Sequence, residues 1–417
     1  MDKINANKKI VYVLFNHFEK DFLCDYVWQT AKILSNKNTV IIAYHSRPHS
    51  IGYAIKNIKR ILEIISEWKK IIFSNEKGIY ECEFISLIPF QRVSAISKFN
   101  RQLVRLELSI IFTLKKIFSG GGFKLVLWIF HPTEELFVKK MKEEISLYDV
   151  VDYFRAWKED EYGSHELDKK LIQKIDLIFA NSTALAFAIN ANKRNIIEVP
   201  CGCAVNEFPL NFYPKAKVIE KIKKPIVGFF GNIDFRIDYK LLEYLVSKNK
   251  NTPFLFIGKV WTMPFEKNKN INKRVSCHLE NLKKYPNFHL LSDVSKEELK
   301  NYLYFFKAAL VPYDINYEFV YYSNPMKFYE YLAMGVPVVS TPIPSLLKYE
   351  MPVVRFGKTH EEFDKHIKYL IKHPELAIKY KRQMRKIAKD NSWEKKVGKI
   401  EKHINEKILN SNFQKYK

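Results

Sequence analysis

The chain has 417 residues, of which 47% are hydrophobic and 27% are charged, and its formal net charge is +24 at pH 7. Apolar residues are plentiful and no low-complexity block occurs, which excludes a disordered chain. No apolar run reaches about 18 residues, and the first residues lack the apolar core of a signal peptide. The five cysteines are irregularly spaced, which excludes a disulfide framework and a zinc knuckle. We therefore expect a folded, basic protein in the cytoplasm.

Short apolar runs alternate with amphipathic segments along the chain. This alternation is typical of strand–helix–strand units and of parallel sheets, whose strands are buried on both faces. The pattern occurs twice, and the stretch between the two series, 206–224, has prolines and lysines but no periodicity. The predicted strands are 9–15, 39–44, 124–130, 176–180 and 195–199 in the first series, and 225–230, 253–257, 287–291, 308–312, 336–340 and 351–356 in the second.

The two series predict two α/β domains, each a doubly wound parallel sheet. The first covers 1–205 and the second 225–390, with 206–224 as the linker and 391–417 as a last helix. Ligands of such sheets bind beyond the carboxyl ends of the strands, so we expect the functional residues in the loops that follow strands. We also expect a ligand cleft between the two domains.

Two predicted helices of the first domain, 53–72 and 98–117, carry an apolar face flanked by lysines and arginines. They are either ordinary helices packed on the sheet or an interfacial surface for anionic lipid. The most basic stretch begins at Lys379, and it is either a solvated helical face or a second membrane contact. Most of the cations are lysines rather than arginines, which favours an anionic membrane over nucleic acid as a partner. We expect no nucleic-acid partner.

The segment 323–341 (SNPMKFYEYLAMGVPVVST) contains the most informative pattern. Ser323 or Asn324 is placed to cap a helix that has a proline in its first turn. Lys327 falls in that turn, where the helix dipole disfavours a cation by about 0.3–1 kcal/mol unless a bound anion offsets both charges. Glu330 shares its face of the helix. The pattern therefore indicates either an anion site or a plain Glu–Lys surface pair.

This segment resembles the donor-binding motif of GT-B glycosyltransferases, in particular the family-four-like enzymes of polysaccharide assembly. The resemblance implies two Rossmann-like domains that face a central cleft. It also implies that Lys327 and the amides near Asn324 bind the diphosphate of a nucleotide sugar, and that Glu330 binds the ribose hydroxyls. Many family members have a further glutamate eight positions before the ribose glutamate; this chain has Tyr322 there, and its nearest carboxylate is Glu318. Recognition of the donor sugar therefore stays open.

The segment 226–242 (IVGFFGNIDFRIDYKLL) is similar to the first strand–helix unit of the family's second domain. Its turn at Gly231 and Asn232 would let the backbone approach a ligand closely, because glycine has no side chain. Arg236 stands where family members hold a cation on the donor phosphates, and a solvated loop arginine is the alternative.

The candidate catalytic residues lie in the first domain. Residues 147–153 (LYDVVDY) resemble the family's Tyr-Asp-x-x-Asp segment, and His131 ends a predicted strand. Asp152, His131 or Asp149 is therefore the candidate base that deprotonates an acceptor hydroxyl. The alternatives are a helix cap or an ion pair for the aspartates, and a backbone hydrogen bond for the histidine.

Together these features predict a hexosyltransferase-like enzyme. It would move a sugar from a nucleotide-diphosphate-sugar donor to a glycan or lipid-linked acceptor in surface polysaccharide biosynthesis, with no separate cofactor. No Asp-x-Asp, P-loop or His-Glu-x-x-His motif occurs, so we expect Lys327 and Arg236, not a metal, to stabilise the departing diphosphate. The alternatives are a nucleotide-sugar epimerase or hydrolase on the same fold, and a non-catalytic basic protein that binds nucleotide sugars or lipid. We further expect peripheral contact with the inner face of the cell membrane.

Overall fold

The computed structural model divides into two compact units, one formed by 1–199 with 393–417 and the other by 200–392. Much of the predicted linker, 206–224, lies outside the described residues. Residues 200–210, which include its start, already belong to the second unit, where Val205 and Phe208 are buried in the core. The structure describes residues 9–16, 23–44, 58–84, 94–118, 122–156, 163–190, 195–210, 214, 222, 225–261, 269–292 and 294–415.

The first unit contains a seven-stranded sheet in the order β3-β2-β1-β4-β5-β6-β7, and all neighbouring strands are parallel. β1 and β2 are almost completely buried, which explains why both read as continuous apolar runs. The strands are β1 (Ile10–Asn16), β2 (Thr39–Tyr44), β3 (Gly78–Cys82), β4 (Lys124–Ile129), β5 (Ile145–Val150), β6 (Leu177–Ala180) and β7 (Ile196–Glu198).

The second unit contains a six-stranded parallel sheet in the order β10-β9-β8-β11-β12-β13. Its core forms one large cluster of buried apolar side chains contributed by strands and helices alike. The strands are β8 (Ile226–Phe230), β9 (Phe254–Ile257), β10 (Phe288–Leu291), β11 (Phe306–Val311), β12 (Val338–Ser340) and β13 (Val354–Phe356).

Helices connect the strands and cover the sheets. In the first unit the last helix packs beside the first one, and both bury apolar side chains against the same side of the sheet, for example Val27 and Val397. The helices are α1 (Asp25–Leu34), α2 (Ile58–Phe73), α3 (Ser94–Phe118), α4 (Ser164–Lys174), α5 (Thr183–Ile189), α6 (Tyr239–Lys248), α7 (Lys269–Lys283), α8 (Lys296–Leu303), α9 (Glu318–Tyr321), α10 (Met326–Met334), α11 (His360–Lys372), α12 (Glu375–Asp390) and α13 (Trp393–Lys415).

Every predicted strand is present, and the prediction of two doubly wound parallel sheets is confirmed. Two strands, β3 and β5, are missing from the prediction. The predicted helices at 53–72 and 98–117 correspond to α2 and α3, and residues 53–57 lie outside the described part of the chain.

Candidate functional site

The second sheet has a topological switch point between β8 and β11. These strands are neighbours, but the order runs to β9 and β10 on one side and to β12 and β13 on the other. Connections leave such a pair in opposite directions, which opens a crevice beyond the carboxyl ends of the two strands. The loop after β8 begins with Gly231, and the loop after β11 contains Tyr313. Both loops therefore border the place where this fold binds ligands.

Lys327 of α10 brings a buried positive charge to this point. Only 8% of the residue is exposed. Its ammonium group donates a hydrogen bond to the hydroxyl of Tyr313 and lies 4.2 Å from the ring centre of Phe229 and 4.6 Å from that of Tyr313. Among the described residues it has no carboxylate partner. Burial lowers its pKa below the ordinary value of 10.5, because desolvation disfavours the charged form.

The Gly231 turn lies directly over the tip of Lys327. Its φ of 123° is in the region that favours glycine, and a Cβ atom there would stand 2.7 Å from Nζ of Lys327. The next turn along the sheet edge packs on it, since a Cβ on Gly258 would come within 2.0 Å of the Gly231 carbonyl oxygen. The exposed neighbour Asn232 follows on the same loop. Only glycines fit these turns, and the arrangement leaves backbone and ammonium side by side.

Arg236 is not the solvated loop arginine that the sequence left open. Its Nη2 lies 2.6 Å and its Nε 2.9 Å from the two carboxylate oxygens of Asp234, which is almost fully buried. The guanidinium also lies 5.6 Å from the ring centre of Tyr313. Its charge acts on Lys327, whose pKa it helps to lower. Both cations thus lie beside the ring of Tyr313, and the ion pair with Asp234 holds the arginine in place.

The start of α10 differs in one detail from the prediction. Neither Ser323 nor Asn324 caps the helix; Pro325 occupies the cap position, and no side chain caps the first turn. The Ser323 hydroxyl donates to the Val320 carbonyl instead, and Asn324 is buried. Neither side chain therefore caps the first amides of α10.

Glu330 lies one turn after Lys327 on α10 and is 7% exposed. It is not part of a Glu–Lys surface pair, because both residues are buried. Burial raises the pKa of the Cys203 thiol, and the negative charge of the nearby Glu330 carboxylate raises it further. An acid and a cation therefore share the buried face of one helix.

Sequence reasoning missed two members of this cluster, Tyr313 and Asp234. Tyr313 is the second residue after β11, so the rule that ligand-binding residues come after strands could have identified it. Asp234 is two residues before Arg236, and its carboxylate accepts from both the backbone and the side chain of that arginine. A short Asp-x-Arg turn after a strand is the pattern that could have indicated the pair.

The first sheet has its own switch point, between β1 and β4. β1 ends at Asn16, whose side-chain oxygen accepts from the Cys24 amide at 3.0 Å. β4 leads into His131, and its other neighbour β5 leads into Asp152. The His131 ring lies 4.6 Å from that of Phe154, whose amide donates to the Asp152 carbonyl. Asp152 is partly exposed. Burial raises the pKa of the Cys24 thiol, and the negative charge of Asp152 raises it further. Two of the three loops at this edge thus carry the predicted residues His131 and Asp152.

His131 makes two contacts with Thr133 through Nδ1. The Thr133 hydroxyl lies 2.8 Å from this nitrogen and the Thr133 amide 3.3 Å from it. The hydroxyl itself donates to the Glu134 carboxylate. Thr133 therefore orients the His131 ring at the end of β4.

Asp149 differs from Asp152, although both belong to the same short motif. It lies within β5, is 0% exposed, and accepts a hydrogen bond at 2.8 Å from Lys396 of α13, which is also buried. A carboxylate enclosed in the sheet has no access to an acceptor hydroxyl. Of the alternatives that the sequence left open, the geometry therefore favours the structural ion pair.

Comparisons with known proteins point to glycosyltransferases. Residues 239–402 match the model of a family described as glycosyl transferase-like. TuaH of Bacillus subtilis (strain 168), named as a candidate teichuronic acid biosynthesis glycosyltransferase, is 23% identical over 296 residues, which are 66% of this chain and 70% of that protein.

Two solved structures are similar in fold. Sucrose-phosphate synthase from Thermosynechococcus elongatus has a TM-score of 0.67 at 13% identity, over 96% of this chain and 99% of that one. HepE of Anabaena, in complex with UDP and glucose, has a TM-score of 0.66 at 10% identity, over 96% of this chain and 100% of that one. The chain thus has the fold of GT-B glycosyltransferases.

Proposed function

We propose that this protein is a glycosyltransferase of the family-four-like type, which moves a hexosyl group from a nucleotide-diphosphate sugar to a glycan or lipid-linked acceptor in surface polysaccharide biosynthesis. The observation that carries the proposal is the buried ammonium of Lys327, which has no carboxylate partner among the described residues and lies at the switch point of the second sheet. Burying an unpaired charge is costly, and a bound diphosphate would remove that cost.

The diphosphate would bind between Lys327, Arg236 and the first amides of α10. Negative charge builds up on the leaving diphosphate as the sugar–phosphate bond breaks, and cations fixed in place stabilise it without reorganisation. The Gly231 turn allows the phosphates to approach the backbone. Metal independence is part of this proposal, since two cations and a helix start supply the neutralising charge. The complexes of HepE with UDP and with UDP-glucose favour a nucleotide-sugar donor.

Glu330 is proposed to accept hydrogen bonds from the ribose hydroxyls. We expect the wild-type chain to bind UDP more tightly than 2′-deoxy-UDP, by about 10-fold for one hydrogen bond to a charged group. Glu330→Gln should remove most of this preference while it keeps the shape of the side chain. Titration calorimetry with both nucleotides measures the ratio. An unchanged ratio in the variant would place the ribose elsewhere.

Asp152 is proposed as the base that takes the proton of the acceptor hydroxyl, with His131 on the loop after β4 as the alternative base. We expect Asp152→Asn to lower kcat by about 10²–10⁴-fold, the usual contribution of general base catalysis. UDP affinity, measured by calorimetry, should stay at the wild-type value, because Asp152 lies in the first unit and the donor residues in the second. A variant with wild-type kcat would rule out Asp152 as the base.

Product analysis separates this function from its alternatives. A transferase consumes a nucleotide sugar and forms a glycosylated product only when an acceptor is present. A hydrolase or epimerase would act equally well without one, and a binding protein would leave the nucleotide sugar unchanged. A thermal-shift panel of nucleoside diphosphates and nucleotide sugars would first identify the donor, since a ligand that binds only the native state raises Tm.

A further inference from the structure

Helices α2 and α3 pack against each other, and α2 also packs beside the edge strand β3. Their inner sides belong to the core, with residues such as Ile64, Ile71 and Leu108 buried. Helices that only cover a sheet normally turn polar side chains outward. The outer sides of these two helices do not follow that rule.

A stripe of large apolar residues runs along the outer side of α3. Phe99, Leu106, Ile110 and Ile117 are 50%, 56%, 49% and 65% exposed and recur at helical spacing. The stripe extends over about 27 Å at 1.5 Å per residue. The ends of the two helices meet through Phe73 and Phe118, whose ring centres are 4.9 Å apart. We call the resulting surface the α2–α3 face; its exposed apolar residues are Ile58, Leu62, Phe73, Phe99, Leu106, Ile110, Ile117 and Phe118.

Exposed lysines flank the apolar residues of this face. They are Lys59, Lys69, Lys70 and Lys116. Among the described residues none of the four is paired with a carboxylate. The exposed acid on α2, Glu63, forms an ion pair with Arg60, with 3.0 Å between its Oε2 and Nη1 of the arginine. Arg60 also pairs with Glu83, at 2.6 Å from Nη2 to Oε1. The α2–α3 face is therefore both apolar and positively charged.

We propose that the α2–α3 face docks on an anionic lipid bilayer, with its apolar side chains in the interface and its lysines among the headgroups. An apolar stripe along a helix that is flanked by lysine is the pattern of an interfacial helix, and each lysine near an anionic surface adds about 1 kcal/mol. Charge complementarity favours this occupant over a second copy of the chain, which would bring the same lysines against themselves. None of the described helices is long and apolar enough to cross a membrane.

The basic carboxyl-terminal region, which the sequence also offered as a membrane contact, is less suitable. The apolar side of α13 is used inside the first unit, where Val397, Ile400 and Ile404 are buried. Its lysines therefore flank a helix whose apolar face is already buried in the core of the first unit. The α2–α3 face combines exposed apolar side chains with flanking lysines, the two properties that interfacial binding requires.

Flotation with vesicles tests this proposal on the full chain. The protein should bind vesicles made of equal parts of phosphatidylcholine and phosphatidylglycerol, and not vesicles of phosphatidylcholine alone. Leu106→Ser with Ile110→Ser should weaken binding at least about 10-fold, because apolar area leaves the bilayer. Lys69→Gln with Lys70→Gln should weaken it about 5-fold for each lysine.

Matched controls make the same changes on the second unit. Leu347→Ser with Ile378→Ser and Lys365→Gln with Lys372→Gln alter exposed residues outside the α2–α3 face and should bind vesicles as the wild type does. UDP affinity should be unchanged in all variants, so a failure of this proposal is distinguishable from a failure of the proposed enzyme activity. Equal binding to both kinds of vesicle, or a dimer in light scattering without vesicle binding, would overturn it.

Discussion

Lys327→Met should bind UDP about 10–100-fold more weakly than the wild type, yet it should be the more stable protein. A hydrogen bond between a charged donor and a phosphate contributes about 1.5–3 kcal/mol, and each 1.4 kcal/mol corresponds to about 10-fold in affinity. The variant loses the ammonium but keeps a flexible side chain of similar length. Calorimetric titration with UDP measures this loss.

The gain in stability follows from the burial of Lys327. The ligand-free protein holds an ammonium that is 8% exposed, between two aromatic rings and without a carboxylate partner among the described residues. Methionine fits the same apolar surroundings without the cost of desolvation. We expect the free energy of unfolding to rise by about 0.5–2 kcal/mol, as is common when a residue kept for function is replaced. Urea unfolding without ligand measures it.

The pH dependence should separate the two effects further. Burial lowers the pKa of Lys327 below 10.5, so the unfolded chain binds more protons than the folded one between the folded pKa and that value. The contribution of Lys327 to stability therefore rises with pH through this window, while UDP affinity falls because the ammonium loses its proton. The contribution of Lys327 to both trends should be absent from Lys327→Met.

Lys240→Met is the matched control for this experiment. Lys240 is the second residue of α6, as Lys327 is the second residue of α10, but its side chain is exposed. Its replacement should leave UDP affinity and stability close to the wild-type values. A Lys327→Met variant that binds UDP normally would contradict the proposed donor site, and one that is strongly destabilised would show that the lysine is structural.

The fold was predictable because its strands are mostly buried, and buried strands read as short apolar runs between helices. The prediction failed where a strand lacks that pattern. β5 contains Ser146 and Asp149, both fully buried. They are tolerated because Asp176 accepts from the serine at 2.8 Å and Lys396 donates to the aspartate at 2.8 Å. Both partners are distant in sequence, so no local pattern could indicate them.

The candidate donor site was predictable only in part, for a similar reason. Lys327 was identifiable because a cation in the first turn of a helix conflicts with the helix dipole. Its hydrogen-bond partner Tyr313, by contrast, depends on how α10 meets the loop after β11. The Asp234 carboxylate that holds Arg236 is local, and only its role was missed. The sequence can name the residues that follow strands, but their mutual contacts come from the order of the strands.

The buried pair of Asp149 and Lys396 gives the second large prediction. Lys396→Met should lower the free energy of unfolding of the first unit by about 3–5 kcal/mol, because it leaves a buried carboxylate without its partner. The loss is larger here because Lys396 bonds only Oδ1 of Asp149, while Oδ2 is buried and has no hydrogen-bond partner among the described residues. Asp149→Val should lower the free energy of unfolding by a similar amount, because the buried ammonium of Lys396 then lacks its carboxylate partner. Urea unfolding followed by tryptophan fluorescence reports on this unit, in which Trp128 and Trp393 are buried.

The double variant Asp149→Val with Lys396→Met decides what Asp149 does. Replacing both members of a buried pair with apolar side chains is often neutral or stabilising, so we expect the double variant to recover most of the stability that either single change loses. Valine also suits a buried strand. If Asp149 serves only to hold α13 on β5, glycosyl transfer should recover together with stability. A stable but inactive double variant would instead make Asp149 necessary for the reaction, and the base could then no longer be assigned to Asp152 alone.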